Sequence, residues 1–226
     1  MIPGNMLEGE YSLSGQVRIV VDGMTASGKS TLVNMLSDEL NLRIMPEMFE
    51  DPFELLPRYA YDPKWCLPMQ LNFLITRYSQ YMVAAEANDY ILDRSIFSDK
   101  VYADLYYQMG HLDEDQYSSY VNLHNSLIRN TPKPECMVFL TCDFDEVMRR
   151  IYKRGRDFEI HQGEEYWRAL YEAYARHIDL LMRANPEGNY LLVNSQEVNY
   201  AGKAEDKHKL VNHIKSALTV NYAGIA

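Results

Sequence analysis

Residues 23–30 read Gly-Met-Thr-Ala-Ser-Gly-Lys-Ser and follow a mainly apolar run at 17–21. Glycines in such a loop let backbone N–H groups turn inward around phosphate oxygens. Lys29 sets a positive charge against the terminal phosphates, and the Ser30 hydroxyl suits Mg²⁺. A helix starting at Ser30 adds its positive N-terminal end to the same anion. Gly23, Met24, Thr25, Ala26, Ser27, Gly28, Lys29, Ser30 and Thr31 therefore make a candidate nucleoside triphosphate site with room for Mg²⁺. Further along, Tyr90-Ile91-Leu92 runs into Asp93-Arg94-Ser95. Asp93 suits Mg²⁺, directly or through water. Arg94 offers a planar fork to a phosphate or hydroxyl. Glu47 closes another short apolar segment, and a carboxylate there can take the proton of an attacking hydroxyl. Glu50, Asp51 and Glu54 are its close rivals. Gln70, Phe73, Leu74, Arg77 and Tyr81 share one helix face by spacing, and this mixture of polar and aromatic groups suits a slot that reads a base edge. Arg150, Arg154 and Arg156 run from a helix end through Gly155, a pattern that fits an arginine-bearing lid over phosphates.

These residues need a scaffold that brings distant segments to one edge. Short apolar runs alternate with longer helical patterns, which predicts βαβ units and a parallel sheet. Strands are expected near 17–22, 42–46, 90–93, 136–141 and 189–194, and Met137-Val138-Phe139-Leu140 reads as a central strand covered on both faces. Helices are expected at about 30–40, 52–60, 64–88, 96–109, 113–130, 144–153, 162–184 and 204–218. In a parallel sheet, ligands collect at the C-terminal ends of the strands, where Gly23, Glu47, Asp93 and Arg94 fall. Pro132-Lys133-Pro134 and Asn185-Pro186-Glu187-Gly188 interrupt helices ahead of strands. Neither a repeat nor a dividing linker interrupts the chain, so a single domain over 16–220 follows an N-terminal arm at 1–15.

The chain has 226 residues, 47% apolar and 24% charged, as an ordinary globular protein does. Its formal net charge of −10 repels DNA and anionic membranes, so neither polymeric nucleic acid nor a membrane is an expected partner. Against that charge, Arg149, Arg150, Lys153, Arg154 and Arg156 form a basic cluster. Met1 to Gly15 lacks the basic start and apolar core of a secretory leader. Cys66, Cys136 and Cys142 contain no C-x-x-C pair and read as structural thiols of a cytoplasmic protein. The histidines show no metal-ligand spacing. The 18 tyrosines, among them Tyr78 with Tyr81 and Tyr117 with Tyr120, read mostly as core or interface residues.

With these segments together, the chain resembles the deoxyribonucleoside kinases that act on deoxycytidine, deoxyguanosine and deoxyadenosine, over about residues 16–218. Asp93-Arg94-Ser95-Ile96-Phe97-Ser98-Asp99 and Arg154-Gly155-Arg156 with Glu159 carry the likeness more specifically than the phosphate loop does. The resemblance implies a P-loop kinase fold, a five-stranded parallel α/β sheet flanked by helices with an arginine-rich lid. It further implies transfer of the ATP γ-phosphoryl group to the 5′-hydroxyl of a deoxynucleoside, in a homodimer paired through its long helices. By the same likeness Glu47 is the general base, Arg94 steadies the hydroxyl and the moving phosphoryl group, and Ser30 and Asp93 serve the metal. Tyr59 and Glu159 hold the 3′-hydroxyl, and Gln70, Arg77 and Asp99 read the base between walls from Trp65 and Phe73. Arg150, Arg154 and Arg156 are the lid arginines. Three positions depart from the family pattern: Met48 stands where most members have Pro, Asp93 where many have Glu, and Phe158 where relatives are often acidic. The charged Arg77–Asp99 pair implies a purine deoxynucleoside, with deoxyadenosine first and deoxyguanosine or deoxycytidine next. A nucleoside monophosphate kinase of the thymidylate type and a catalytically silent nucleotide-binding subunit remain the alternatives.

Overall fold

The computed structural model describes residues 15–47 and 51–220. The expected N-terminal arm, apart from residue 15, and the rival carboxylate Glu50 lie outside the described residues. The strands are β1 (Ile19–Gly23), β2 (Arg43–Met45), β3 (Tyr90–Asp93), β4 (Cys136–Thr141) and β5 (Tyr190–Asn194). All pair in parallel in the order β2-β3-β1-β4-β5. The helices are α1 (Lys29–Leu40), α2 (Leu55–Tyr61), α3 (Cys66–Ala87), α4 (Asp99–Gln108), α5 (Glu114–Arg129), α6 (Phe144–Arg154), α7 (Asp157–Ile160), α8 (Gly163–Ala184) and α9 (Ala204–Val220).

Strand β1 shows why the sheet is sandwiched. Ile19 and Val21 pack with Leu32, Val33 and Leu36 of α1 and with Leu210 and Ile214 of α9. Val20 points the other way, toward Tyr81 and Ala84 of α3 and Ile178 of α8. Every residue of β1 is buried, as is all of β4 except Thr141, which is why neither shows the alternation of a half-exposed strand. β2 is a short edge strand with an exposed Arg43.

Two local features depart from expectation. The segment 96–109 divides into a 3₁₀ turn at Ile96–Ser98 and helix α4, with the Ser95 hydroxyl accepting from the Phe97 N–H at 3.4 Å. The loop expected after Gly155 contains the single-turn helix α7. No helix among the described residues is long and apolar enough to cross a membrane.

Candidate active site

Register places the site. Asp93 is level with Val21 in the neighbouring strand, so the end of β3 stands directly beside the loop that leaves β1. Gly23 has φ +143° and a side chain there would collide with the Leu140 carbonyl at 2.5 Å; Gly28 has φ +103° and would meet the Tyr200 hydroxyl at 2.8 Å. Only glycine fits both positions. Gly28 also starts α1 without any side-chain cap, leaving the first-turn N–H groups of α1 for an anion. Lys29 lies buried and folds back on its own loop, its Nζ donating to the carbonyls of Gly23 and Met24 at 3.0 Å each. Burial and the nearby Arg94 lower its pKa from the ordinary lysine value.

Across from the lysine, the Ser30 hydroxyl donates to Asp93 Oδ2 at 2.6 Å. Asp93 Oδ1 is buried with no partner among the described residues, and burial raises the pKa of this carboxyl, an effect countered by Ser30 and Lys29. A hydroxyl and a carboxylate with a spare acceptor are the hard oxygen donors that Mg²⁺ takes alongside phosphates and water. The pair therefore fits the metal, although no cluster of three or more His, Cys, Asp or Glu ligands occurs among the described residues.

Glu47 links two arginines. Its Oε1 lies 3.0 Å from Nη2 of Arg77 and 3.0 Å from Nε of Arg94. Burial opposes the charge, but Arg94, Arg77 and Lys29 hold the carboxyl down to about 2. Arg77 also pairs with Asp99 through Nη1 and stacks over the Phe73 ring at 4.7 Å. Burial pushes the Asp99 carboxyl up to about 6 despite that partner. Gln70 is buried on the same helix as Arg77 and Phe73. Arg94 is buried in left-handed backbone, φ +71°, a conformation that costs an arginine about 1–2 kcal/mol. Its N–H donates to the Val21 carbonyl at 2.9 Å, tying this kink to β1.

The remaining expected site residues fall into separate groups. The Tyr59 hydroxyl meets Nδ1 of His111 at 2.8 Å. Trp65 lies beneath Arg58, 5.0 Å from its ring centroid, beside a cavity of about 440 Å³ lined also by Phe53 and Leu55. Glu159 is buried and held by Arg154, from Nε at 3.0 Å and Nη2 at 2.6 Å, with Arg156 3.5 Å away. Arg150 stands apart from that pair and clasps the phosphate loop. Its Nη1 donates to the carbonyls of Ala26 (3.3 Å) and Ser27 (3.0 Å) and to Ser195 Oγ (2.9 Å).

Four residues beyond the expected set also converge here. Asp22 accepts from the Gly23 N–H at 2.7 Å and from the Ser98 hydroxyl at 2.6 Å, joining the start of the loop to the turn after β3. Tyr102 and Tyr174 hold Arg94. Of these, Ser98 lies inside the segment 93–99 that carries the family likeness, and Asp22 left a trace of its own: a carboxylate inside an apolar strand requires a buried partner.

A parallel α/β sheet with this loop, an uncapped helix beyond it and an acid–arginine pair at the next strand end defines a P-loop nucleotide-binding protein of the kinase type. The deoxynucleoside kinase family model matches residues 19–219, and the chain belongs to that family. It is 30% identical to the deoxyadenosine kinase of Dictyostelium discoideum over 186 residues, covering 82% of this chain and 75% of that protein. It is 27% identical to the deoxyadenosine/deoxycytidine kinase of Bacillus subtilis over 171 residues, covering 73% of this chain and 78% of that protein. In fold it is similar to the deoxyadenosine kinase of M. mycoides, with a TM-score of 0.74 at 24% identity, covering 88% of this chain and 99% of that one.

Proposed function

We propose that this chain transfers the γ-phosphoryl group of ATP to the 5′-hydroxyl of a purine deoxynucleoside, deoxyadenosine first, as a single domain over 16–220 in a cytoplasmic salvage role. The observation that carries this reading is the Glu47 carboxylate shared between Arg77 and Arg94. Arg77, with Asp99 and Gln70, reads the base, and Phe73 and Trp65 wall the slot. Arg94 stands at the reacting end beside Lys29. One carboxylate thus places a 5′-hydroxyl at a fixed distance from the base-reading pair, and positioning of this kind is the larger part of phosphoryl-transfer catalysis.

In this mechanism the loop from Gly23 to Thr31 cradles the phosphates, Lys29 turning from its own carbonyls to the terminal oxygens. Ser30 and Asp93 would hold Mg²⁺, which would supply charge neutralisation at the terminal phosphates when bound. Glu47 accepts a hydrogen bond from the 5′-hydroxyl and takes its proton late, while Arg94 steadies the transferring group. Tyr59 and Glu159 engage the 3′-hydroxyl. Arg154 and Arg156, parked on Glu159 before substrate enters, turn to the phosphates as the lid closes, and Arg150 keeps the loop in shape. Exposed Ile75 and Val83 on α3 belong to the face through which two copies pair as a homodimer.

The deciding experiment offers deoxyadenosine, deoxyguanosine, deoxycytidine, thymidine and thymidine monophosphate separately with ATP and Mg²⁺. Turnover led by a purine deoxynucleoside is expected, and Asp99→Ala lowers its kcat/KM. Turnover of the monophosphate alone, or of none, refutes the proposal.

A further inference from the structure

The clasp around Arg94 involves residues that no motif supplies. Its Nη1 donates to the hydroxyl of Tyr102 at 2.6 Å and of Tyr174 at 2.9 Å. Tyr102 lies on α4 and Tyr174 on α8, eight and eighty residues away in sequence. The guanidinium carbon stands 5.2 Å from the Tyr102 ring centroid and 5.9 Å from that of Tyr174. The two rings meet edge to face at 6.0 Å and 84°. Nε faces Glu47, and Nη2 donates to no described residue.

A guanidinium is planar and cannot lose its charge near neutral pH. Two phenol oxygens on one amino group and a ring face beneath fix its position and its roll about the Cζ–Nε axis, with the Glu47 carboxylate adding charge 3.0 Å from Nε. Burial strengthens each contact. Nη2 then remains as an amino group with no engaged donor among the described residues, beside an Nε that pairs with Glu47 by charge at 3.0 Å but makes no hydrogen bond.

We propose that Tyr102 and Tyr174 are positioning residues that cage the Arg94 guanidinium and aim its remaining amino group at the transferring phosphoryl group. The proposal rests on the kinase reading above. Neither tyrosine touches substrate. Both act through Arg94, so their loss acts on the transition state rather than on ground-state binding.

The test combines kinetics with a measurement that needs no turnover. Tyr102→Phe and Tyr174→Phe keep the rings and remove one acceptor each from a charged donor. Each is expected to lower kcat about 10- to 100-fold, while KM for ATP stays within about threefold. In Arg94→Ala, added guanidinium ion is expected to restore turnover, and adding either Phe substitution raises the concentration required about tenfold or more. Nitrogen-15 relaxation of the Arg94 side chain reports a rigid Nε–H in the wild type and a mobile one in the double Phe variant at unchanged melting temperature. Kcat within about threefold of wild type in both single variants overturns the proposal, as does equal Arg94 mobility with and without the hydroxyls. A wild type that phosphorylates no nucleoside refutes the kinase reading, and the relaxation data then decide the cage separately.

Discussion

Replacing Glu47 by Gln is the sharpest perturbation the site offers, because it keeps the shape of the side chain and removes one charge. The displacement of its pKa from 4.5 to about 2 corresponds to about 3 kcal/mol in favour of the carboxylate in a dry site. The side chain is 36% exposed, and solvent screening reduces that figure to about 1–2 kcal/mol. Because the folded-state pKa is depressed, this stability is present above pH 4.5 and disappears as pH falls toward 2. Denaturation of wild type and E47Q should therefore differ by about 1–2 kcal/mol at pH 7 and converge near pH 2–3. The catalytic loss should be larger: removing a proton acceptor lowers kcat about 10²- to 10⁴-fold, or about 3–5 kcal/mol. Steady-state kinetics with deoxyadenosine and ATP separate these effects, since nucleoside binding should survive. Retained turnover, with kcat within about threefold of wild type, refutes the base assignment and moves the role elsewhere.

Burial pushes Asp99 up to about 6, so kcat/KM for the deoxynucleoside should show an acid limb near pH 6 that Asp99→Asn abolishes. Asp99 also contributes to folding with the opposite sign to Glu47. With a folded-state pKa raised from 3.8, its contribution is complete below that value and is lost as pH rises through about 6, which a denaturation series from pH 4 to 7 would resolve. Arg150→Ala removes the contacts to Ala26, Ser27 and Ser195 and should raise KM for ATP about tenfold while leaving KM for the nucleoside within about threefold. Arg150→Lys should rescue little, because a compact ammonium lacks the planar fork by which Arg150 spans the loop carbonyls, Ser195 and Glu146. Phe139→Ala empties a fully buried position in β4 and should cost about 3–5 kcal/mol in urea or heat unfolding.

Much of this fold was legible because its strands are either wholly buried or cut off by turn residues. Met137 to Leu140 has no polar face to blur the pattern, and the strand at 136–141 coincides with β4. Helix α7 was not legible: Asp157 to Ile160 is a single turn, too short for any period. The 3₁₀ turn at 96–98 was merged into the following helix, since its residues continue the same apolar spacing. At the site, the sequence pointed to groups that lie near strand ends, Gly23, Glu47, Asp93 and Arg94 among them. It was silent on what holds them. Tyr174 reaches Arg94 across eighty residues, and a tyrosine on an amphipathic helix looks the same whether it fills a core or carries a guanidinium. The partners of the lid arginines were equally hidden: Arg150 and Arg154 are one helical turn apart, yet Arg150 meets the carbonyls of Ala26 and Ser27 while Arg154 meets Glu159.

The charges at the site also resolve an apparent conflict with the acidity of the whole chain. A protein of net charge −10 repels a nucleoside triphosphate, yet it gathers Lys29, Arg77 and Arg94 around one cleft. Those three cations are matched within it by Glu47, Asp93 and Asp99, so the empty site is nearly neutral. This matching lets buried cations persist without ligand, since an unpaired buried charge is strongly destabilising. The side-chain charges are thus already paired, and the preformed attraction for an anion comes from the uncapped start of α1. In the mechanism proposed above, Lys29 leaves its loop carbonyls, while Arg94 keeps its carboxylate and presents Nη2 to the anion. On that mechanism binding is an exchange of partners. The full attraction is expressed only when charge moves toward Lys29 and Arg94 during transfer, which is the condition under which electrostatics accelerates a reaction rather than merely tightening a complex.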